Sequence, residues 1–204
     1  MRGSCEMKKF GLYLVMTNPV VGYAKCAEAA VKAGVKIVQL RMKKASREDI
    51  LREAREVRRV TSGTDTAFIV NDDPFIAAEV GADGVHVGQG DMSPGEIRSR
   101  FPELSIIGLS THNLSQVALA NDENVDYIGV GPVYATPTKE IPDPTLGLEM
   151  MGRMIRLSRH PAVAIGGIDK LNLPDVRKGG AENYAVVRAV CQSADPYKEL
   201  LFLV

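Results

Sequence analysis

The sequence predicts an α/β protein, a single-domain (β/α)8 barrel of the TIM-barrel type, on three observations. Short runs rich in valine and isoleucine alternate with amphipathic helical stretches along the chain. Eight such units follow one another without a linker or a low-complexity segment, and the 204 residues are enough to bury one sizeable core. A doubly wound open sheet is the rival fold. Eight evenly spaced units in so short a chain favour closure, because a closed barrel has no sheet edges.

The predicted strands are short runs bounded by glycine, asparagine or aspartate, as is typical of buried parallel strands. In chain order they span residues 11–17, 36–43, 67–72, 84–88, 105–110, 127–133, 162–166 and 185–189. Residues 1–8 are assigned to an N-terminal tail and residues 9–204 to the barrel.

The helices between the strands are predicted from apolar stripes and from their end signals. In the second helix Ala54 and Val57 lie on one face, and Ser46 is the expected N-cap. Glycines are expected to end helices in a left-handed conformation just before the next strand. These glycines lie in the segments 33–35, 81–85 and 179–181.

Composition excludes several classes of partner. The chain has 25 basic and 25 acidic residues, so no bulk positive charge favours a nucleic acid. Its apolar runs are of strand length, far short of the roughly 20 residues that span a membrane. The N-terminal stretch has no apolar signal core, which predicts a cytoplasmic protein. Three widely spaced cysteines predict neither a disulfide framework nor a zinc site. A homodimer is the default expectation for the assembly.

The second predicted strand carries polar residues on one face. Gln39, Arg41 and Lys43 alternate with aliphatic residues, so a period of two separates the two sets. The apolar face is expected to meet the helices, and the polar face then points into the barrel mouth. Cations in that position require anionic partners, which can be a phosphorylated ligand or carboxylates on neighbouring strands.

Two aspartates follow the next two strands. Asp72 ends the third strand and Asp91 follows the fourth, so both are expected at the mouth beside the basic strand. This pair suits Mg²⁺, which prefers one or two carboxylates together with phosphate and water. Alternatively Asp72 or Asp73, just before Pro74, caps a helix.

The fourth and fifth strands add polar groups that are less specific. Ser110 can donate or accept a hydrogen bond at the mouth, and His112 can act as an acid or a base. His86 and His112 can equally be structural residues.

The loops after the last three strands suit phosphate binding. Thr136, Thr138 and Lys139 lie in a proline-rich loop that is either a phosphate clamp or an ordinary solvated loop. The pair of glycines at 166–167 and the segment 186–188 occupy the usual phosphate site of this fold.

Six of these segments together form a recognisable pattern. They are 39–43 (QLRMK), 71–72 (ND), 84–91 (GVHVGQGD), 108–112 (GLSTH), 129–139 (GVGPVYATPTK) and 164–168 (AIGGI). In order and spacing, over nearly the whole chain, they resemble the thiamine phosphate synthase family.

The resemblance implies a role for each matched residue. Those implied in binding the aminopyrimidine diphosphate are Gln39, Arg41, Lys43, Asn71, Ser110 and Lys139, and those implied in catalysis are Arg41, Lys43, Ser110 and Lys139. Those implied in binding the thiazole phosphate are Thr136, Thr138, Gly167, Val187 and Arg188. Asp72 and Asp91 are implied as ligands of Mg²⁺.

The resemblance also implies the reaction. The chain is expected to be a transferase that joins 4-amino-2-methyl-5-hydroxymethylpyrimidine diphosphate to 4-methyl-5-(2-hydroxyethyl)thiazole phosphate, giving thiamine phosphate and pyrophosphate by a dissociative, Mg²⁺-assisted step. Two alternatives stay open. One is a relative of the thiazole tautomerases, in which a histidine commonly stands where this chain has Gly131. The other is a non-catalytic barrel that binds phosphorylated metabolites.

Two residues depart from the family pattern. Arg188 stands where the family usually has serine, and Tyr184 stands where a smaller residue is expected. The Arg188 guanidinium can pair with a phosphate or point to solvent. Both residues bear on the expected thiazole pocket.

Overall fold

The computed structural model, which describes residues 9–136 and 144–204, is a closed barrel of eight parallel strands with helices outside it. The strands are β1 (Leu12–Met16), β2 (Ile37–Leu40), β3 (Ala67–Asn71), β4 (Gly84–Val87), β5 (Ile106–Thr111), β6 (Tyr127–Val130), β7 (Ala162–Ile165) and β8 (Asn183–Val186). The helices are α1 (Tyr23–Lys32), α2 (Arg47–Thr61), α3 (Pro74–Glu79), α4 (Pro94–Arg100), α5 (Leu114–Ala120), α6 (Gly147–Leu157), α7 (Leu173–Lys178), α8 (Arg188–Cys191) and α9 (Pro196–Leu201).

The barrel closes where β1 pairs with β8. Leu12 lies opposite Tyr184 in this parallel ladder. The Asn183 side chain secures the seam, because its Oδ1 accepts hydrogen bonds from the backbone N–H of Phe10 at 2.8 Å and of Gly11 at 3.1 Å. The prediction of a (β/α)8 barrel is confirmed, and the open-sheet alternative is wrong.

Alternating side chains build two separate cores. The core inside the barrel consists of Tyr13, Val15, Ile37, Ile69, Tyr127, Val163 and Ala185. Their neighbours on the same strands, for example Leu14, Val38 and Phe68, point outwards and pack between the sheet and the helices. The outer core holds the strands in place, so the inner face can carry polar groups at its open end.

The helix ends follow the predicted signals. Ser46 caps α2, and its side chain accepts the backbone N–H of Asp49 at 3.1 Å. Asp73 caps α3, accepting the N–H of Ile76 at 2.9 Å, so the capping role falls to Asp73 and not to Asp72. The glycines predicted to follow three of the helices, Gly34, Gly81 and Gly180, have positive φ angles.

Three strands, β2, β6 and β8, end three residues earlier than the sequence predicts. β2 stops at Leu40. Arg41 N donates one last hydrogen bond to Met16 O (3.0 Å), and after it the chain turns towards α2. β6 stops at Val130, two residues before Pro132, which has no N–H to donate to a ladder.

The sequence predicts the eighth strand at residues 185–189, whereas the structure has β8 at Asn183–Val186. Val187 leaves the strand with φ −125° and ψ −83°, and α8 begins at Arg188. Tyr184 therefore lies within β8 rather than before it.

Candidate active site

A cavity of about 540 Å³ opens at the carboxyl ends of the barrel strands. All of the predicted site residues that the structure describes line it, namely Gln39, Arg41, Lys43, Asn71, Asp72, Asp91, Ser110, Thr136, Gly167, Val187 and Arg188. Thr138 and Lys139 lie outside the described residues. A single concave site thus collects side chains from all parts of the sequence.

Charged groups of both signs meet at the mouth of the cavity. The Lys43 ammonium forms a salt bridge with Asp72 Oδ2. Burial lowers the pKa of the Arg41 guanidinium, and the charge of the nearby Asp72 carboxylate opposes that effect. Lys43 therefore has a carboxylate at the end of a neighbouring strand as its partner, which is the alternative to a phosphorylated ligand. Arg41 is a half-buried cation that lines the cavity, as binding of an anionic ligand would require.

The carboxylates of Asp72 and Asp91 both line the mouth, close enough for the charge of one to affect the pKa of the other. Burial raises the pKa of Asp72, and the charge of Asp91 raises it further, while the hydrogen bond from Lys43 lowers it. Asp91 is held at the mouth by the backbone N–H of Gly88, which donates to its Oδ2 at 2.7 Å.

This pair of carboxylates fits the predicted Mg²⁺. Two neighbouring carboxylates repel each other unless a proton or a cation lies between them. In the described part of the chain no group of three or more His, Cys, Asp or Glu side chains could hold a metal. Further ligands would then come from substrate phosphate and water, as is usual for Mg²⁺.

The floor of the cavity is a set of hydrogen-bonded side chains that the sequence did not reveal. Tyr13 and Tyr127 lie in the inner core, with Oη atoms 2.8 Å apart. Gln39 Nε2 donates to Tyr13 Oη at 2.7 Å. His86 stacks on the Tyr127 ring and links Tyr127 to Ser110. The signal in the sequence was the period of two: Tyr13 alternates with outward-facing leucines on β1.

The loops after β6 and β7 are joined at the other side of the cavity. The N–H groups of Val133 and Tyr134 donate to the carbonyls of Ile165 (2.9 Å) and Gly166 (3.0 Å). A Cβ at Gly167, which has φ +64°, would lie 2.8 Å from the Tyr134 Cβ. Glycine is therefore required for this close approach.

The end of β8 forms the remaining wall. Arg188 is exposed at the rim, and its Nη2 donates to Gln192 Oε1 at 3.0 Å within the same turn of chain. Tyr184 points away from the cavity: it is buried in the outer core and its Oη donates to Leu203 O at 2.7 Å. The expectation that Tyr184 affects the pocket is therefore wrong.

The segment after β6 accepts no side chain at the position of the tautomerase histidine. A Cβ at Gly131 would lie 2.2 Å from the carbonyl oxygen of Ile165. His112 reaches the same segment, with Nδ1 2.7 Å from Gly131 O, and it lines the cavity. The backbone around Gly131 thus argues against the tautomerase alternative.

Comparisons with known proteins agree with the resemblance. A family model described as "Thiamine monophosphate synthase" matches residues 12–190. A thiamine-phosphate synthase from Laribacter hongkongensis is 36% identical over 195 residues, covering 94% of this chain and 92% of the relative. One from Synechocystis sp. is 42% identical over 193 residues, covering 94% of this chain and 55% of the relative. The chain thus spans about half the length of the cyanobacterial relative.

Among solved structures, a thiamine phosphate pyrophosphorylase from Pyrococcus furiosus superposes with a TM-score of 0.87 and 30% identity. The match covers 97% of this chain and 95% of that one. Across residues 9–136 and 144–204, none of the helices has the length and apolar character needed to cross a membrane.

Proposed function

The chain belongs to the thiamine monophosphate synthase family, and from this premise we propose that it joins an aminopyrimidine diphosphate to a thiazole phosphate with release of pyrophosphate. The observation that carries the proposal is the mouth of the cavity, where Arg41 and Lys43 face the adjacent carboxylates of Asp72 and Asp91. Both charge types at one point suit a diphosphate together with a divalent cation.

The proposed diphosphate half of the site lies between β2 and β5. Arg41 and Lys43 bind the two phosphoryl groups, since each brings a positively charged side chain to the cavity. Gln39 and Ser110 hold the pyrimidine ring below them, and Asn71 lies at the end of β3 beside the carboxylates. Lys139 is proposed to act with this set.

The bond change in the proposed reaction requires little proton transfer. The bond between the pyrimidine methylene and the diphosphate oxygen breaks, and its electron pair leaves with pyrophosphate. The thiazole nitrogen then supplies the pair for the new carbon–nitrogen bond. Arg41 and Lys43 stabilise the negative charge that grows on pyrophosphate, and positioning of the two rings supplies much of the rate.

Asp72 and Asp91 would hold Mg²⁺. When bound, the ion would neutralise charge on the phosphate oxygens.

The second half of the site is proposed to hold the thiazole phosphate. It consists of Thr136, Gly167 and the backbone at Val187, with Thr138 as a further proposed contact. Arg188 lies at the rim, and release of its hydrogen bond to Gln192 would let the guanidinium reach a phosphate.

The proposal is tested by pyrophosphate release from purified protein given both substrates and Mg²⁺. We expect release that depends on both substrates and that stops in EDTA. Tautomer exchange of the thiazole in EDTA, without pyrophosphate release, would favour the tautomerase reaction instead. Binding of both ligands without product under any divalent metal would indicate a non-catalytic barrel.

Asp91→Asn is expected to lower turnover by about a hundredfold or more, because the site loses one carboxylate that complements the cation. The measurement is the rate of pyrophosphate release at saturating substrates, with circular dichroism to verify folding. Asp122→Asn is the matched control, since Asp122 is a surface residue with a side chain 84% exposed. Turnover of Asp91→Asn close to that of the control would remove the proposed metal role.

A further inference from the structure

Five polar side chains form one continuous hydrogen-bonded chain across the cavity floor. It runs from Gln39 on β2 through Tyr13, Tyr127 and His86 to Ser110 on β5. Gln39 and both tyrosines are buried, each at most 3% exposed. The links measure 2.7 Å, 2.8 Å, 3.0 Å and 2.9 Å in that order, so each lies in the normal range for a hydrogen bond.

The first link fixes the direction of all the others. Gln39 Nε2 is a donor only, so Tyr13 Oη accepts from it. Within the described residues the Tyr13 hydroxyl bonds to Gln39 and Tyr127, and its own proton must therefore go to Tyr127 Oη.

The direction set by Gln39 extends to the far end of the hydrogen-bonded chain. Tyr127 Oη accepts from Tyr13, so its own buried proton goes to its other partner, His86 Nδ1. The proton of a neutral imidazole then resides on Nε2, which donates to Ser110 Oγ. The Ser110 hydroxyl is left to donate its proton to a further group, and the side chain lines the cavity.

We propose that Tyr13, Tyr127 and His86 are positioning residues that fix opposite polarities at the two ends of this chain. Gln39 presents its carbonyl oxygen as an acceptor, and Ser110 presents its hydroxyl as a donor. That the ligand between these two ends is a pyrimidine rests on the proposed function. The proposal adds a physical reason why the site would prefer an amino-substituted pyrimidine.

The two polarities select one class of pyrimidine. An amino-substituted ring carries an exocyclic amine, which donates to Gln39 Oε1, and unprotonated ring nitrogens, one of which accepts from Ser110. An oxo-substituted ring carries a carbonyl and a ring N–H, so its polarity is reversed. To match it, the Gln39 amide would have to turn over, and all four hydrogen bonds, including those of the two buried tyrosines, would have to reverse together.

The direction of the chain is measurable without substrate. Nitrogen-15 NMR of the histidine side chains in the free protein reports which ring nitrogen carries the proton. The protein has three histidines, at positions 86, 112 and 160. The signals that remain in both His112→Asn and His160→Asn therefore belong to His86. We expect His86 to be protonated on Nε2 and bare on Nδ1. Protonation of Nδ1 would overturn the proposal, whether or not the protein proves to be a synthase.

Tyr127→Phe tests the positioning role. The ring and its packing remain, but the link to His86 Nδ1 is lost. We expect a shift of the His86 nitrogen signals and a rise of about tenfold in KM for the aminopyrimidine diphosphate, because one buried hydrogen bond disappears and another loses its direction. KM for the thiazole phosphate should not change.

Tyr184→Phe is the matched control. It removes the hydroxyl of another buried tyrosine, which bonds to Leu203 O and to Arg177 on the outer side of the sheet. We expect a loss of thermal stability but no change in the His86 signals or in either KM. Two outcomes would show that the hydrogen-bonded chain has only a structural role. One is an equal change in KM in both variants, and the other is an equal change in KM for both substrates in Tyr127→Phe.

Discussion

Asp72 is under opposing demands from the fold and from the proposed chemistry. It follows β3 with φ 65°, in the left-handed region that aspartate and asparagine adopt more readily than most residues. Its carboxylate is partly buried and lies near the charge of Asp91, so its charged form is disfavoured in spite of the salt bridge to Lys43. A carboxylate in this position lowers the stability of the empty protein and is suited to a cation.

Asp72→Asn is therefore expected to raise the thermal stability of the ligand-free protein at neutral pH. The folded pKa of Asp72 is raised above its ordinary value. Its contribution to stability is then greatest at pH values below the ordinary pKa and falls as pH rises through the folded pKa. Asparagine does not ionise and tolerates the same φ, so this loss disappears.

Thermal denaturation over a pH series checks this expectation. The midpoint of Asp72→Asn should exceed that of the unmodified protein near neutrality, and the difference should shrink in acid. A difference that is independent of pH, or a less stable variant at neutral pH, would contradict it. Asp122→Asn again serves as the surface control.

Individual site residues were predictable where a strand pattern exposed them. The alternation at Gln39, Arg41 and Lys43 showed which side chains face the cavity. Successive side chains of a strand point to opposite faces of the sheet, so once the apolar face is assigned to the helices the polar face must point inwards. Tyr13 and Tyr127 escaped prediction because a tyrosine on an inward face resembles an ordinary core residue. Their polar role depends on contacts between strands that are distant in sequence.

Elements were predicted well in their centres and less well at the ends that matter for the site. Hydrophobic runs mark where strands lie, but a strand ends where its neighbour stops offering hydrogen-bond partners, and that depends on register. The carboxyl end of β8 was misplaced for this reason: Val187 is as apolar as the strand before it, yet its backbone leaves the sheet.

The contact between the ends of β6 and β7 leads to a test with paired glycine variants. Gly131→Ala is expected to cost about 2 kcal/mol or more of stability, because its Cβ would lie 2.2 Å from Ile165 O and the backbone must shift. Gly129→Ala, on β6 itself, meets its first neighbour, His86 Cε1, at 3.5 Å and should be tolerated.

Urea denaturation measures the free energy of unfolding of both glycine variants. Equal stability of the two would show that the loop relaxes around Gly131 without cost and that a side chain such as histidine fits at this position.

The whole molecule is built so that the helices and the outer core stabilise the barrel while its mouth carries unfavourable charge contacts. Filling the mouth should therefore stabilise the entire fold. We expect Mg²⁺ with pyrophosphate to raise the melting temperature by about 5 °C or more at roughly a hundred times the dissociation constant.

Arg41→Met should abolish that increase, because the half-buried cation that lines the proposed diphosphate site is lost. Differential scanning fluorimetry with and without the ligands provides the measurement. Arg159→Met is the control, since the Arg159 side chain is 74% exposed. An undiminished increase in Arg41→Met would separate Arg41 from the diphosphate site.

The seam between β1 and β8 sets an order of events during folding. Other neighbouring strands are separated by one helical unit, whereas Gly11 and Asn183 meet across 172 residues. Joining segments so far apart costs more chain entropy, so we expect the ladder to grow unit by unit and the ring to close last. Val15 of β1 and Val187 after β8 both line the cavity. A growing chain therefore acquires its basic strand and its aspartates early and a place for substrate only at the final step.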